Sequence, residues 1–359
     1  MSILDRYCAK EFLRFLAIIV ISFVCLYLII DFFEKIRMFL SNQANMYQMV
    51  SFFFCSIPMI IWQILPASIL MAALIAFGSL SRHSEIIAMK ACGVSLYRTA
   101  APIIVIAVLI CGLSFIISEF ITPYTNQKAN HIRVVEIQKQ VMAGAFRENQ
   151  IWYRGKEGIY NFKVFDARTN SLQGITIYYV DNKLHLVKRT DAERGEWRDG
   201  KWIFYNVVAT SFTPGTFPEL QTMPYQVMAL PEHPDNFLSA QKDAENMGYL
   251  ELRRYIRDIQ SEGYDATSYR VDLHGKLAFP LVNIIMAIIG LASALRSENR
   301  GSQAQGLAAG IVIGFSYWIV FAFTVSLGRA GVLPPLLAAW SANILFGLAA
   351  GLLVLRVRT

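Results

Sequence analysis

The chain has 359 residues, of which 55% are hydrophobic and only 16% are charged. A soluble domain carries about 25% charged residues, so the composition excludes an ordinary water-soluble protein, and it is too apolar for a disordered one. The formal net charge of +7 is spread along the chain without a basic cluster, and this argues against nucleic-acid binding. The sequence therefore predicts an integral membrane protein.

Six apolar stretches are candidates for helices that cross a membrane, which requires about 20 residues each. They cover residues 15–30, 52–80, 99–118, 277–295, 301–328 and 330–355. The first stretch is not typical of a cleaved signal peptide, because bulky residues follow it where a signal peptidase requires small ones. We therefore expect it to remain as a membrane anchor.

The positions of Lys and Arg in the short loops predict the orientation, because cytoplasmic loops carry an excess of these residues. If the N-terminus is inside, the inner segments hold ten Lys or Arg residues and the outer short loops hold only Lys35, Arg37 and Arg329. Both termini are then cytoplasmic. The long segment between spans three and four lies outside, in the periplasm if the cell has two membranes.

The segment between the third and fourth spans has a different pattern. From about residue 147 to 228, aromatic and β-branched residues alternate with polar ones, which predicts short strands. Asp199-Gly200 between two such runs indicates a two-residue hairpin. The strands predict an all-β sandwich or barrel, followed by an amphipathic helix near residues 247–261 that Gly263 ends.

Motifs of common enzymes are absent from the sequence: it contains no P-loop, no HExxH and no GxSxG. The five cysteines have no metal-ligand spacing and are typical of small buried hydrophobic residues. Gln63 and Asn283 lie within spans, where hydrogen bonding between helices explains most neutral polar residues. Near the outer end of span four, His274 and Lys276 are typical of residues that extend toward the interface.

Residues 80–95, between the second and third spans, read LSRHSEIIAMKACGVS. Ser84 is placed to cap the start of a short helix, and Gly93 is placed to end it. The apolar side of this helix would consist of Ile86, Ile87, Met89 and the stem of Lys90. Two interpretations remain open, because such a helix suits either the groove of a partner protein or the surface of the bilayer.

This segment resembles the S-E-hydrophobic-x-x-M-x-A-x-G coupling helix of the LptF/LptG family of lipopolysaccharide-export permeases. The resemblance covers the whole chain, with six spans, one large insertion after the third, ILP at 64–66 and LPP at 333–335. The opening LDRY at 4–7 and DFFEK at 31–35 look more like the LptG branch than the LptF branch.

The resemblance implies a membrane α-helical fold of six transmembrane helices with an inserted periplasmic all-β jelly-roll-like domain. The expected domains are residues 1–122 (spans one to three, with a coupling helix near 84–92), 123–270 (the β-domain with flanking helical segments) and 271–359 (spans four to six).

It further implies the permease subunit of an ABC exporter in the bacterial inner membrane, and not an enzyme. The implied partners are an LptF-like permease, an LptB-like ATPase dimer, an LptC-like single-span protein and lipopolysaccharide. This chain would bind no cofactor, since ATP and Mg²⁺ belong to the ATPase. The alternative is a membrane-anchored β-domain scaffold or receptor without transport. A membrane-embedded transferase is disfavoured, because the spans hold no paired His, Asp or Glu.

Two groups of residues are candidates for the transport function. The ATPase-coupling group consists of Ser84, Glu85, Ile86, Met89 and Gly93. The second group is a rim of cations at the outer ends of spans one and three, which suits the phosphates of a lipid headgroup. Its members are Lys35, Arg37, Lys128, His131 and Arg133. In the alternative interpretation of the rim, Lys35 and Arg37 only pair with Asp31 and Glu34.

Overall fold

The computed structural model describes residues 3–138, 144–147, 150–154, 158–166, 171–180, 185–198, 201–212, 217–228, 244–261, 265–296 and 303–356. The chain divides into two compact units. The first comprises Met1–Arg133, Ala244–Arg253 and Thr267–Thr359. The second comprises Val134–Asp243 and Arg254–Ala266. Helices dominate the first unit, and the second contains the β-strands.

The helices, in chain order, are α1 (Ile3–Ser41), α2 (Met46–Arg82), α3 (Glu85–Ala91), α4 (Leu96–Ile116), α5 (Thr122–His131), α6 (Tyr249–Ser261), α7 (Thr267–Arg296), α8 (Gln303–Arg329) and α9 (Pro335–Leu355). Two π-helical segments, Ile117–Ile121 and Ile132–Ile137, lie before and after α5. A 3₁₀ turn, Ala244–Asn246, precedes α6. Helix α6 confirms the predicted amphipathic helix, whose proposed end at Gly263 lies outside the described residues.

Within the described residues, six helical segments are long and apolar enough to cross a membrane. They are Ile3–Ser41, Met46–Arg82, Leu96–Ile137, Thr267–Leu295, Ala308–Arg329 and Pro335–Leu355. The six predicted spans are thus confirmed, but the first helix is much longer than the predicted span at residues 15–30. Charge-free runs mark only the part of a helix that suits hydrocarbon, and α1 continues through charged residues at both ends.

Helices α2 and α7 form the centre of the helical unit, where Ile69, Phe77 and Val282 are fully buried. Gly290 on α7 allows these helices to approach closely. A Cβ atom at this position would lie 2.8 Å from the Cβ of Ala73 and 2.9 Å from the backbone oxygen of Leu70. Small residues at such contacts provide the packing that holds membrane helices together.

Two buried asparagines of this unit differ in their hydrogen bonding. Asn343 accepts from the Tyr317 hydroxyl at 2.8 Å and donates to the backbone oxygen of Ala278 at 2.6 Å, so it joins α7, α8 and α9. Asn283 on α7 is 0% exposed, and its amide atoms have no hydrogen-bond partner among the described residues. The expectation that Asn283 bonds between helices is therefore wrong.

The cysteines are all free, and only some of them are buried. Cys8 and Cys55 are buried as expected, but Cys25 and Cys92 are exposed. Cys25 lies on α1, most of whose apolar span is not covered by the rest of the chain. An apolar residue on a membrane helix needs no burial in protein, because lipid is as apolar as the protein interior.

The second unit contains an antiparallel sheet. Its strands are β1 (Gly144–Arg147), β2 (Gln150–Arg154), β3 (Ile159–Phe162), β4 (Val164–Asp166), β5 (Ser171–Val180), β6 (Leu186–Arg198), β7 (Lys201–Ser211) and β8 (Glu219–Met228). The hydrogen-bonded order is β1-β2-β3-β5-β6-β7-β8, and β4 pairs with β5. The inserted all-β domain is confirmed, and its strands follow one another in the sheet almost as they do in the chain.

Strands β6 and β7 pair in register as far as Arg198 and Lys201. This agrees with the predicted two-residue hairpin connection, whose residues 199–200 lie outside the described parts of the chain. Buried and less buried residues alternate along β7, and Trp202 and Phe204 point into the core with Ile177 of β5. The period of two in the sequence thus predicted which face of this strand is buried.

Candidate functional site

Two cavities in the helical unit have charged residues in their lining. The first, which we name the Arg133 cavity, has a volume of about 130 Å³. Its lining residues are Tyr27, Asp31 and Lys35 of α1, Phe52, Ser56, Met59, Ile60 and Gln63 of α2, Asn126, Ala129 and Asn130 of α5, and Arg133. It therefore lies where α1, α2, α5 and the second π-helical segment meet.

The Arg133 cavity has two cations and one carboxylate in its lining. Lys35 forms an ion pair with Asp31 one helical turn earlier, and its ammonium lies 5.2 Å from the ring centre of Phe52. Arg133 donates a hydrogen bond to the amide oxygen of Asn130 at 2.7 Å. Because Asp31 neutralises Lys35, the excess positive charge of the lining belongs to the Arg133 guanidinium.

The structure brings together two of the five predicted rim residues, Lys35 and Arg133. The other three, Arg37, Lys128 and His131, are exposed and are not part of the lining of this cavity. Arg37 follows Lys35 by two residues, which turns it about 200° around the helix and away from the cavity. Of the alternative interpretation, in which Lys35 and Arg37 pair with Asp31 and Glu34, the structure shows the Lys35–Asp31 pair.

The second cavity, which we name the Lys276 cavity, has a volume of about 180 Å³. Its lining residues include Met59, Trp62, Gln63, Ser118, Thr122, Glu245, Asp272, Lys276, Phe279, Trp318, Phe321 and Arg329. Met59 and Gln63 line the Arg133 cavity as well, so the two cavities share one part of α2.

Charges and aromatic rings surround the Lys276 cavity. The Arg329 side chain donates to Asp272 Oδ1 from Nε at 3.0 Å and from Nη2 at 2.7 Å, and this bond joins α8 to α7. The ring centres of Trp62 and Phe279 lie 4.2 Å apart. From the sequence, Lys276 was predicted only to be an interfacial lysine. Its spacing of four residues from Asp272 was the available signal for a shared charge cluster.

The short helix α3 joins α2 to α4 at the end of the helical unit away from α5. Ile86 is buried and Met89 packs against the same core, whereas Ile87 is 65% exposed. Residues 86 and 89 lie about 60° apart around the helix, whereas residue 87 is turned about 100° from residue 86 and about 160° from residue 89, so Ile87 does not join them in packing on the core of its own chain. Gly93, with a φ of +78°, lies just after the helix, as predicted.

The start of α3 differs from the predicted cap. Ser84 occupies the N-cap position with a left-handed φ of +60°, and its side chain makes no capping hydrogen bond. Glu85 accepts a hydrogen bond from the side chain of Tyr7 on α1. The carboxylate that was predicted to meet a partner therefore lies against the first helix of its own chain.

Known proteins match this chain over nearly its whole length. The sequence profile of the family described as "Lipopolysaccharide export system permease LptF/LptG" matches residues 6–356. The chain belongs to the LptF/LptG family. The protein named "Lipopolysaccharide export system permease protein LptG" of Haemophilus influenzae is 24% identical over 364 residues, covering 96% of this chain and 95% of the relative. Its namesake in Escherichia coli K12 is 24% identical over 352 residues, covering 94% of each.

Both relatives are LptG proteins, which confirms the resemblance drawn from the coupling-helix motif and the LDRY opening. Membership of the LptF/LptG family makes this chain a lipopolysaccharide-export permease by family, in agreement with a transporter and not an enzyme. The matched range contains both cavities, the short helix α3 and the β-sheet. Every candidate residue therefore lies within the matched range.

The inward residues of the β-domain in this LptF/LptG chain are tightly packed. Ile175, Ile177 and Trp202 belong to one core cluster, in which each is buried. The Trp202 ring stacks on Phe204 with 6.2 Å between ring centres. Contact between these residues and a lipid would require the core to open.

Proposed function

We propose that this chain is the permease subunit of an ABC exporter that takes lipopolysaccharide from the outer leaflet of the inner membrane. It delivers the lipid to a periplasmic bridge that leads to the outer membrane. Its partners in this proposal are an LptF-like permease, an LptB-like ATPase dimer that holds the ATP and Mg²⁺, and an LptC-like single-span protein. The observation that carries the proposal is the family match from residue 6 to residue 356, through all six candidate spans and the insertion.

The proposed orientation places both termini and α3 in the cytoplasm and the β-domain in the periplasm. It is supported by the excess of Lys and Arg in the segments that would face the cytoplasm. At that end, Arg82 precedes α3, Lys90 lies within it and Arg98 follows it. The Arg133 and Lys276 cavities then lie toward the periplasmic end of the helices.

In the proposed mechanism, α3 couples ATP hydrolysis to the helices. Its exposed residue Ile87 suits an apolar groove on the ATPase. Ile86 and Met89 hold α3 against the core shared by α2 and α4. Because Glu85 is bonded to Tyr7, a displacement of α3 also reaches the start of α1. No cofactor is needed in this chain for these steps.

The Arg133 cavity is the proposed place for an anionic headgroup. A guanidinium binds phosphate with two parallel hydrogen bonds, and such a charge-assisted contact is roughly twice as strong as a neutral hydrogen bond. The lining of this cavity has more cationic than anionic groups, and Arg133 donates to the neutral amide of Asn130. A phosphate can therefore approach Arg133 without displacing a carboxylate from it.

Purification of the tagged full-length chain from a bacterial membrane tests the proposal. We expect an ATPase subunit to co-purify, and we expect its activity in proteoliposomes to rise when lipopolysaccharide is added. The variant Glu85→Lys should weaken assembly or separate ATP hydrolysis from export, since it reverses the charge beside Tyr7 at the start of α3. Glu219→Lys, on an exposed residue of β8, is the matched control.

The outcomes separate the proposal from a scaffold or receptor. A complex without any ATPase, or an ATPase that ignores lipopolysaccharide, would contradict the exporter and favour a β-domain scaffold. Wild-type export by Glu85→Lys would leave the exporter standing and remove the coupling role of Glu85. The variant Tyr7→Phe removes only the bond to Glu85, so a selective loss of coupling in Tyr7→Phe would assign that loss to the contact between α1 and α3.

A further inference from the structure

Glu119 lies in the first π-helical segment, one residue past the end of the predicted third span of residues 99–118. Its two carboxylate oxygens accept hydrogen bonds from the backbone N–H groups of Tyr249 and Leu250, the latter at 3.2 Å. These are the first residues of α6, a helix of 13 residues. The first N–H groups of a helix have no partner inside it, and a carboxylate satisfies them and complements the helix dipole. Glu119 thus holds the start of α6 from a position 130 residues earlier in the chain.

Two further contacts join the same segments. Asn126 of α5 donates to the side-chain oxygen of Asn246 at 2.7 Å, and Gln127 donates to the backbone oxygen of Asn246, also at 2.7 Å. Gly248 completes the fit, because a Cβ atom at this position would lie 2.9 Å from the backbone oxygen of Glu119. We name the contacts of Glu119, Asn126 and Gln127 with residues 246–250 the Glu119 joint.

The Glu119 joint has the properties of a permanent contact. Its hydrogen bonds are made to backbone groups at the start of α6 and to the side chain and backbone of Asn246 in the preceding turn. Both oxygens of the carboxylate are used, and charge-assisted hydrogen bonds are the stronger kind. The glycine leaves no space for a side chain at the point of closest approach. The π-helical turn that carries Glu119 is of a type found frequently at functional sites.

We propose that Glu119 is a positioning residue of the transport cycle, which keeps the start of α6 bound to the end of the third span while that span moves. This inference rests on the proposed exporter function for the existence of a cycle. Helix α6 continues at Arg254 into the second unit, so a displacement of the third span is carried into the segment that leads there. The joint itself does not open.

Cysteine cross-linking tests whether the joint stays closed. In the full complex, Asn126→Cys with Asn246→Cys should form a disulfide on oxidation in both the nucleotide-free and the vanadate-trapped states, and each single variant serves as its control. The cross-linked complex should export lipopolysaccharide within about twofold of its reduced form. Loss of cross-linking in either state, or an export that returns only on reduction, would overturn the proposal.

Variants of Glu119 test whether the joint transmits movement. Glu119→Ala should lower export at least tenfold while assembly and ATP hydrolysis remain, and Glu119→Gln, which retains one acceptor oxygen, should recover part of the export. Gly248→Ala should also weaken the joint, because the added Cβ atom would lie too close to the backbone oxygen of Glu119. If all three variants export lipopolysaccharide as well as the control Glu219→Ala does, the inference is overturned.

The failure of the two proposals can be distinguished. If the wild-type complex exports no lipopolysaccharide, the exporter is wrong, and the disulfide experiment still decides whether residues 126 and 246 stay together. If the wild type exports and Glu119→Ala exports equally well, the exporter stands and the positioning role of Glu119 is wrong.

Discussion

The two units of the protein bury their residues by different rules. In the β-unit, the largest buried side chains, such as Trp202 and Phe204, alternate with less buried positions along the strand. In the helical unit, apolar residues such as Ile21 and Leu26 on α1 are exposed, whereas the polar side chain of Asn283 is fully buried. Along β7 the buried positions are all apolar, whereas on α1 and α7 burial does not follow side-chain polarity.

The difference reflects the solvent that each unit is built for. In water, each Å² of exposed apolar surface costs about 25 cal/mol, so the β-strands turn their apolar face inward. In a bilayer this cost is absent, and helices associate through close packing and hydrogen bonds. Polar residues of the helical unit are consequently informative about function, because the hydrophobic effect does not determine where they lie.

The variant Trp202→Ala is expected to have the largest effect, because it removes the largest fully buried side chain of the β-unit. Deletion of a buried aromatic ring leaves a cavity and costs about 3–5 kcal/mol. Hydrogen exchange of the purified complex should show faster exchange throughout β5 to β8. Leu220→Ala, at an exposed position of β8, is the control. Equal protection in the two variants would show that the β-core is looser than its packing indicates.

The second prediction compares two arginines of the helical unit. Arg133 lines the Arg133 cavity and Arg37 is exposed outside it. Arg133→Glu should lower the lipopolysaccharide-stimulated ATPase rate by about tenfold, which corresponds to about 1.4 kcal/mol, while Arg37→Glu should change it less than twofold. The measurement is the ATPase rate in proteoliposomes as lipopolysaccharide is titrated. Equal losses in the two variants would contradict a localised headgroup site and favour a diffuse field of rim charges.

Local patterns predicted the number of spans, the all-β insertion and the hairpin between β6 and β7. Each of these depends on hydropathy or on the period of neighbouring residues, which a single sequence shows directly. The ends of α1 were missed, because helix formation continues through charged residues that a hydropathy boundary excludes. The exposure of Ile87 was missed as well. Ile86, Ile87 and Met89 cannot all face the core from a helix of two turns, because adjacent positions point in different directions around the helix.

Contacts between distant residues could not be predicted from the sequence. Tyr7 and Glu85 belong to two separate motifs, LDRY and the coupling helix, and nothing in either motif indicates that these two side chains meet. The Glu119 joint connects residues about 130 positions apart. No periodicity signals such a pair. For the cavities, the sequence indicated cations near the outer ends of spans, and the fold selected Lys35, Arg133 and Lys276 among them.

The smallest expected effects concern the two buried asparagines, which test the rule for polar residues in the helical unit. Asn343→Leu leaves the Tyr317 hydroxyl without its acceptor and the Ala278 oxygen without its donor. Hydrogen bonds between membrane helices contribute about 0.6 kcal/mol on average and up to about 1.7 kcal/mol, so the unfolding midpoint should fall by a few degrees. Asn283→Leu removes an amide that has no partner among the described residues.

Replacement of an unsatisfied buried polar group by an apolar group of similar shape is nearly neutral or stabilising. The midpoint of Asn283→Leu should therefore equal or exceed that of the wild type, when both are measured by thermal unfolding in the same detergent. A fall as large as that of Asn343→Leu would show that Asn283 is bonded in the working protein. Because the side chain is 0% exposed, its partner would then be an internal water or a neighbouring helix in another arrangement of the bundle.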